Sequence, residues 1–289
     1  MKNTVRLALC QVESAIAESD EQDPRPANMS KAREFVAKAA DVGADLAMFG
    51  EAFLTGYCSD EFINRYACSL DPPDEYAEGI REMAATSGLH ILIGLAARGG
   101  HVPGAVYNAA ALFGPEGLIG VYRKVYVANF VWAKGVANES TYYARGRELP
   151  VFETQLGTIG VEICADVRHS EILRVYALKG AHVVVNIAAA AQGFEEYWDL
   201  AMRLGAMDNG LYFVMTSVVG RQKDFVFFGG SRVLDPYGQE IVRIPHGVQD
   251  MALVELDLSV VNEARGASHV FSERMPELYE ILAQPSPYP

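Results

Sequence analysis

The chain has 289 residues, which is enough for one large α/β domain or two small ones with a sizeable core. Half of its residues are hydrophobic and 21% are charged, an ordinary globular composition. The net charge of −13 at pH 7 predicts an acidic surface that repels phosphate backbones and anionic lipid, so binding to nucleic acid or to a membrane is disfavoured.

The N-terminal segment and the cysteines bear on the compartment. The apolar stretch near the N-terminus is too short for a signal peptide, and no run is long enough to span a bilayer. The four cysteines, Cys10, Cys58, Cys68 and Cys164, form no C-x-x-C pair, which is typical of a reducing environment. We therefore expect a cytoplasmic protein.

Strand and helix patterns alternate along the chain. Apolar runs predict strands at residues 6–11, 46–49, 90–97, 109–113, 118–123, 158–163, 181–187, 211–218, 231–234 and 239–243. Apolar residues at helical spacing predict helices at residues 28–40, 74–86, 170–179 and 194–209. No linker-like segment interrupts them, so we interpret residues 1–289 as a single α/β domain with mixed sheets. The tail, residues 271–289, is expected either to fray or to pack on a partner subunit.

Two candidate catalytic residues follow predicted strands directly. Glu51 has apolar neighbours on both sides, so burial would raise its pKa toward the range of a general base, although an ordinary strand-end carboxylate fits the segment equally well. Cys164 lies between a strand and a helix, where nearby backbone N–H groups favour a reactive thiolate. The other three cysteines fit the usual pattern of small buried hydrophobic residues.

Lys124 and Glu139 carry little weight by themselves. Lys124 ends a predicted strand and Glu139 falls in a loop, and charged residues at such positions are usually solvated. Their significance lies in the order in which they occur with Glu51 and Cys164.

Taken together, these residues give the chain a resemblance to the nitrilase, or carbon–nitrogen hydrolase, superfamily over nearly its whole length. That family carries Glu, Lys and Cys, in this order, in three separated motifs. Here they match residues 49–57 (FGEAFLTGY), 122–124 (YRK) and 160–171 (GVEICADVRHSE). Glu139 matches the family's additional glutamate, in a stretch similar to that of β-ureidopropionases. Each motif alone is weak evidence, but all of them in order at compatible spacing make the resemblance specific.

The resemblance implies a four-layer αββα sandwich, in which two mixed β-sheets are flanked by helices, and a homodimer or higher homo-oligomer. It implies Cys164 as nucleophile, Glu51 as general base, Lys124 as the cation that stabilises the oxyanion, and Glu139 as a residue that holds Lys124 or the substrate amide in place. The implied substrate-binding residues are Tyr57, Asn108, Ala165, Arg168, Asn186 and Ala188. No metal or organic cofactor is expected, and the six histidines show no ligand spacing.

Two features of the sequence bear on the substrate. Nitrilases proper usually carry Trp-Glu after the nucleophile, whereas this chain has Ala165-Asp166, so amides are favoured over nitriles. Arg168 lies where N-carbamoyl amino acid hydrolases and ω-amidase-like relatives have an arginine. It indicates either a bound substrate carboxylate or an ion pair with Asp166 or Glu171 that binds nothing.

The leading hypothesis is therefore the hydrolysis of a small linear carboxamide to release ammonia. The alternative is an N-carbamoyl amine or amino acid hydrolase, which would release carbon dioxide as well. A non-catalytic binding subunit is disfavoured because Glu51, Lys124 and Cys164 are all present. The segment at residues 125–138 predicts either a hydrophobic wall at the pocket mouth, formed by Phe130, Val131 and Trp132, or a plain surface loop.

Overall fold

The computed structural model describes residues 2–99, 102–132 and 135–285. The strands are β1 (Thr4–Gln11), β2 (Leu46–Phe49), β3 (Cys68–Ser69), β4 (His90–Arg98), β5 (Val106–Gly114), β6 (Gly117–Arg123), β7 (Asn129–Trp132), β8 (Gly135–Asn138), β9 (Val151–Thr154), β10 (Gly157–Ile163), β11 (Val183–Ala188), β12 (Tyr212–Ser217), β13 (Val219–Gln222), β14 (Phe225–Phe228), β15 (Arg232–Leu234), β16 (Glu240–Arg243) and β17 (Asp250–Asp257). The α-helices are α1 (Arg25–Asp41), α2 (Ile63–Tyr66), α3 (Glu75–Ser87), α4 (Ser170–Leu178), α5 (Glu195–Asn209) and α6 (Ser259–Ser268). Short 3₁₀ helices occur at Tyr57–Phe62, Glu139–Thr141, Cys164–Arg168, Pro276–Leu278 and Glu280–Ala283.

Helix α3 shows how local sequence sets the boundaries of an element. The Asp74 carboxylate accepts hydrogen bonds from the backbone N–H groups of Tyr76 and Ala77, which otherwise lack partners in the first turn. Gly88 ends the helix with a φ of 71°, a backbone conformation that costs other residues a steric clash. The prediction of a helix at residues 74–86 is therefore confirmed to within one residue at each end.

The strands form two large mixed sheets. The first has the order β17-β1-β2-β4-β5-β6, with β3 also pairing with β4, and the second has the order β16-β15-β12-β11-β10-β9. In each sheet a parallel set of three strands, β1-β2-β4 or β10-β11-β12, is extended on both sides by antiparallel strands. Two separate hairpins, β7-β8 and β13-β14, lie outside these sheets.

Alternate residues of the central strands face two different apolar layers. On β1, Leu7 and Leu9 belong to a core that also contains Val161 of β10 and Val185 of β11, so this core lies between the two sheets. Ala8, which alternates with them, faces the other way, into the core beneath α1 and α3. Helices α4 and α5 cover the outer face of the second sheet in the same manner. The predicted αββα sandwich is confirmed.

Backbone contacts join the two sheets beside the ends of β2 and β11. The Ala188 carbonyl oxygen accepts hydrogen bonds from both Glu51 N and Val218 N, at 3.2 and 2.9 Å. Gly50 has to be a glycine here, because a Cβ at this position would lie 2.4 Å from Val218 N. The two sheets are therefore in close backbone contact at the residue that precedes Glu51.

The C-terminal segment lies on the surface and contains two short 3₁₀ turns. Its large apolar side chains are exposed, among them Leu278 and Ile281. The last four residues of the predicted tail, 286–289, lie outside the described residues. Within the part of the chain that is described, no helix is both long enough and apolar enough to cross a bilayer.

Candidate active site

The predicted catalytic residues lie where strands of the two sheets end on the same side. Glu51 follows β2 by two residues, Lys124 follows β6 directly, and Cys164 follows β10 directly. β2 runs parallel to its neighbours, and β6 runs in the same direction as β4 because each is antiparallel to β5. The ends of parallel strands meet at one edge of a sheet, so the topology brings Glu51 and Lys124 together. The packing of the two sheets places Cys164 of the second sheet near them.

Glu51 is fully buried and both of its carboxylate oxygens are hydrogen-bonded. Oε1 accepts from Lys124 Nζ at 2.5 Å and from Asn108 Nδ2 at 2.7 Å. Oε2 accepts from the Ala189 N–H at 2.9 Å. These contacts fix the orientation of the carboxylate, as a general base requires.

Glu139 is the second carboxylate that faces the Lys124 ammonium. Its Oε1 lies 2.8 Å from Lys124 Nζ and also accepts a hydrogen bond of 2.7 Å from the Tyr57 hydroxyl. Its Oε2 accepts a 2.9 Å hydrogen bond from the Ala128 N–H. The loop glutamate that the sequence alone left solvated is therefore buried and orders the lysine.

Cys164 has an unusual backbone conformation. Its φ is 45°, a left-handed value that costs a residue with a side chain about 1 kcal/mol or more. The turn places the half-buried thiol at the start of the 3₁₀ helix Cys164–Arg168, and Ala189, whose N–H binds Glu51 Oε2, lines the same cavity as the thiol. The residue whose N–H binds the predicted base thus lies at the same cavity as the predicted nucleophile.

The charges in this cluster set the protonation states. Burial raises the pKa of Glu51, and the Lys124 ammonium only partly opposes that rise. Burial disfavours the charge of Lys124, but Glu139 and Glu51 outweigh it and hold the pKa of Lys124 well above its usual range. Enclosure and the Glu51 carboxylate raise the pKa of the Cys164 thiol. The resting site therefore holds a neutral thiol, a charged lysine and a carboxylate that accepts a proton readily.

A narrow cavity of about 60 Å³ opens onto the thiol. Its walls are mainly apolar and aromatic, and the residues that line it include Tyr57, Phe130, Cys164, Ala165, Arg168, Ala189, Phe194, Tyr197, Trp198 and Phe227. Two rings, Phe225 and Phe227, pack edge-on against Tyr57 at 6.2 and 5.5 Å between centroids. The apolar and aromatic lining of the cavity suits a small organic molecule.

Arg168 is exposed at the wall of this cavity. Its guanidinium carbon lies 5.1 Å from the centre of the Phe130 ring, within the range of a cation–π contact. Asp166, one of the predicted ion-pair partners, instead accepts hydrogen bonds from the Tyr122 hydroxyl and from two backbone N–H groups. Among the described residues Arg168 forms no ion pair. The alternative of an ion pair with Asp166 or Glu171 is therefore not seen among the described residues.

The segment at residues 125–138 contributes a hairpin rather than a plain loop. Strands β7 and β8 pair from Asn129 to Asn138, and Phe130 lines the cavity. Val131 is 77% exposed, so it does not form part of the wall. The side chain of Trp132 lies outside what the structure describes.

Three residues that were predicted to bind substrate do not line the cavity. Asn108 is buried and donates to Glu51. Asn186 is buried, and its Oδ1 accepts from the Cys164 N–H at 3.0 Å while its Nδ2 donates to Glu162 at 2.7 Å. Ala188 is buried, and its carbonyl oxygen accepts the hydrogen bonds from Glu51 N and Val218 N. The structure thus gives all three supporting contacts, whereas Tyr57, Ala165 and Arg168 do line the cavity.

Two features of the site were not predicted from the sequence. The Ala189 N–H carries no side-chain signal at all, because its role comes from the place where β11 ends. Asp166 fastens the Cys164 turn to the segment after Lys124 through Ile163 N and Tyr126 N, both at 2.9 Å. The position of Asp166, two residues after the cysteine, is the sequence feature that could have indicated this role. Within the described residues, no three His, Cys, Asp or Glu side chains are arranged to hold a metal ion.

Comparison with known proteins gives one consistent result. The sequence profile described as carbon–nitrogen hydrolase matches residues 6–266. The mouse protein named omega-amidase NIT2 is 29% identical over 289 residues, which cover 96% of this chain and 98% of that protein. Nit3 of Saccharomyces cerevisiae, described as a member of branch 10 of the nitrilase superfamily, superposes with a TM-score of 0.83 at 23% identity, over 95% of this chain and 98% of that one. An amidase from Nesterenkonia sp. AN1, described with the acetamide moiety of fluoroacetamide attached to its active-site cysteine, gives a TM-score of 0.80 at 21% identity over 96% of each chain.

Proposed function

The chain belongs to the carbon–nitrogen hydrolase family, and we propose that it is a cysteine-dependent amidase that acts on small linear carboxamides. Cys164 is the nucleophile, Glu51 the general base and acid, and Lys124 the oxyanion-stabilising cation. The observation that carries the proposal is the buried cluster beside the thiol. Lys124 Nζ lies 2.5 Å from Glu51 Oε1, and Ala189, whose N–H binds Glu51 Oε2, lines the cavity together with Cys164. A base held beside the thiol can take its proton as the substrate is attacked.

Acylation begins with transfer of the Cys164 proton to Glu51. The thiolate attacks the amide carbonyl carbon, and the carbonyl electron pair moves onto oxygen. The Lys124 ammonium and the Ala165 N–H, at the start of the 3₁₀ helix where backbone donors lack intrahelical acceptors, stabilise this negative charge. When the tetrahedral intermediate collapses, the carbon–nitrogen bond breaks, and protonated Glu51 gives its proton to the departing nitrogen, which leaves as ammonia.

Deacylation uses the same groups with water in place of the thiol. Glu51 removes a proton from water, the hydroxide adds to the thioester carbon, and the oxyanion again faces Lys124. The carbon–sulfur bond then breaks, and Glu51 returns the proton to the sulfur. The products are a carboxylic acid and the regenerated Cys164 thiol. Glu139 and Tyr57 keep the ammonium aimed at the reacting oxygen throughout.

The walls of the cavity support a substrate with a carboxylate at some distance from its amide. The cavity is narrow and largely apolar beside the thiol, which suits a short aliphatic chain. Arg168 lines the same cavity, and its fork of N–H donors suits bidentate binding of a carboxylate. The name of the mouse relative, omega-amidase, is consistent with this arrangement.

A panel of substrates tests the proposal. We expect ammonia from short carboxamides, most efficiently from monoamides of dicarboxylic acids, and no release by Cys164→Ala. The alternative, an N-carbamoyl amine or amino acid hydrolase, would release ammonia together with carbon dioxide from carbamoyl compounds and little from simple amides. Intact mass should rise by one adduct at Cys164 with an amide-based alkylating probe. Ammonia release that persists in Cys164→Ala would contradict the cysteine mechanism, and a wild type that is inert to the probe would favour a non-catalytic subunit.

We also propose that the protein works in the cytoplasm as a homodimer or higher homo-oligomer. Helix α5 buries Trp198, Met202 and Ala206 against the second sheet, yet Leu200 and Leu204 on its opposite side are 58% and 57% exposed. An apolar stripe of this kind on a helix is typical of an interface. Sedimentation should give at least a dimer, and Leu200→Glu with Leu204→Glu should give monomers. A wild type that sediments as a monomer at micromolar concentration would contradict this.

A further inference from the structure

A buried pair of polar side chains lies behind the nucleophile, on the outer face of the second sheet. Glu162 of β10 and Asn186 of β11 are register partners in the parallel pairing of these strands. Both are fully buried in an apolar layer that contains Val184, Ala188 and Trp198. Burying two polar groups in such a layer is costly unless they bind one another and something else.

The contacts of Asn186 are directed at the backbone of the nucleophile. Its Oδ1 accepts from the Cys164 N–H at 3.0 Å, and its Nδ2 lies 3.3 Å from the Cys164 carbonyl oxygen and 2.7 Å from Glu162 Oε1. The amide therefore holds both polar groups of the one residue in this turn that has a positive φ. The Glu162 carboxyl oxygen accepts a hydrogen bond from the amide, and only the NH₂ end of an amide can donate one. This contact therefore turns the Asn186 oxygen toward the Cys164 N–H.

We infer that Asn186, oriented by Glu162, is a positioning residue that holds Cys164 in its left-handed conformation and so keeps the thiol aimed at the substrate carbonyl. The inference rests on the proposed role of Cys164 as nucleophile. Without the amide, the turn loses the contacts that offset its strain, and the residue is free to relax toward a negative φ. A relaxed turn moves the sulfur and changes the direction of attack, and a displacement of about 1 Å in a reacting atom costs about 100-fold in rate.

Two variants separate positioning from simple stabilisation. Asn186→Leu keeps the volume but removes the clamp, and it leaves the Glu162 carboxyl buried without its partner. The double variant Asn186→Leu with Glu162→Leu removes that orphaned carboxyl as well, and replacing both members of a buried polar pair by apolar groups is often close to neutral for stability. If the pair were only structural, the double variant would recover both stability and turnover.

We expect the double variant to unfold at nearly the wild-type temperature while its kcat stays lower by about 10- to 100-fold, with KM changed less than about threefold. Iodoacetamide should also alkylate Cys164 of the double variant more slowly than Cys164 of the wild type. The other cysteines, Cys10, Cys58 and Cys68, are buried, so intact mass reports one site. Asn209→Leu serves as the matched control, because Asn209 is a buried amide at the end of α5 remote from the residues that line the cavity. It should lower stability without changing kcat.

A double variant that folds stably and recovers wild-type kcat and alkylation rate would overturn the inference. Alkylation does not depend on the identity of the substrate. A wild type that is alkylated rapidly but hydrolyses no amide would therefore refute the proposed function while leaving the positioning of the thiol to be decided by the variants.

Discussion

The Lys124 ammonium lies 2.5 Å from Glu51 Oε1, and both side chains are fully buried. Removing two charges from water costs several kcal/mol for each ion, so a buried pair survives only where further hydrogen bonds compensate the loss. Here Asn108, Ala189 and Glu139 supply those bonds. Because Glu139 also faces the lysine, two carboxylates share one ammonium. This excess of negative charge, together with burial, raises the pKa of Glu51.

Replacing Lys124 by methionine should damage both stability and activity. The variant keeps an unbranched side chain of similar size but leaves two buried carboxylates without a counter-charge. Breaking a buried pair by removing one partner costs about 3–5 kcal/mol in the free energy of unfolding. Loss of the cation that we propose to stabilise the oxyanion should lower kcat by about 100-fold or more. Urea denaturation and the rate of ammonia release measure the two effects.

Lys2→Met is the matched control for this prediction. Lys2 also forms an ion pair, with Asp45, but its side chain is 49% exposed. Exposed pairs contribute about 1 kcal/mol or less, so this variant should unfold close to the wild type and keep its activity. Equal losses of stability in Lys2→Met and Lys124→Met would show that the burial of Lys124 has no energetic consequence.

Stability should depend on pH through Glu162. Burial raises the pKa of Glu162 from its ordinary value of 4.5 to about 8, and the nearby Asp166 adds to the rise. Between these values the folded protein binds a proton that the unfolded chain releases. The stabilisation is therefore complete below about pH 4.5 and is lost as the pH rises to about 8. Glu162→Gln cannot titrate at this position. As the pH rises through this window, the free energy of unfolding of the wild type should therefore fall relative to that of Glu162→Gln, by up to about 1.4 kcal/mol per pH unit.

The difference between the two proteins is the quantity to measure, because every other titrating group contributes equally to both. Denaturation at intervals between pH 5 and pH 8.5 gives it directly. Glu153→Gln, on the exposed face of β9, provides a control whose curve should run parallel to that of the wild type. Parallel curves for Glu162→Gln as well would mean that Glu162 is ionised in the folded protein at neutral pH.

The sequence predicted the layers of the fold well because strand and turn signals are local. The α3 helix was placed to within one residue, since Asp74 and Gly88 mark its ends chemically. Helix α1 begins at Arg25, three residues before the predicted start, because prolines fit the first turn of a helix and do not break it. The β7-β8 hairpin was not predicted, and the choice between a wall and a loop stayed open until the backbone pairing was known.

The site was predictable only through the order of its motifs. Lys124 and Glu139 look solvated in isolation, and their burial results from packing between segments far apart in the chain. Asn186 shows the opposite limitation. The resemblance implied that Asn186 binds substrate, but a sequence cannot tell whether an amide faces the cavity or the backbone of the neighbouring strand.

Arg168 should control affinity for substrates that carry a carboxylate. Its guanidinium lies over the Phe130 ring and lines the cavity that contains the thiol. Hydrogen bonds between charged groups contribute about 1.5–3 kcal/mol, so Arg168→Ala should raise KM for a monoamide of a dicarboxylic acid by about 10- to 100-fold with little change in kcat. A neutral amide of the same length should show no change. Arg168→Lys should be intermediate, because an ammonium lacks the bidentate geometry. Equal effects on charged and neutral amides would contradict the assignment.

Enlarging Ala165 should restrict the length of the substrate without impairing the chemistry. Ala165 lines the cavity beside Cys164, and only its backbone N–H takes part in the proposed reaction. A phenylalanine at this position fills space that the acyl chain would occupy, and excluding one methylene from such a pocket costs about 1–3 kcal/mol, or about 10- to 200-fold in kcat/KM. Ala165→Phe should therefore keep its activity toward the shortest amides and lose it progressively toward longer ones. Because Ala165 is only half-buried, the unfolding temperature should change little.

Ala165→Ser, which adds one oxygen atom, should behave like the wild type across the series. If Ala165→Phe instead lost activity toward every amide equally, the side chain would be disturbing the Cys164 turn itself, and the acyl chain would have to extend along another wall of the cavity.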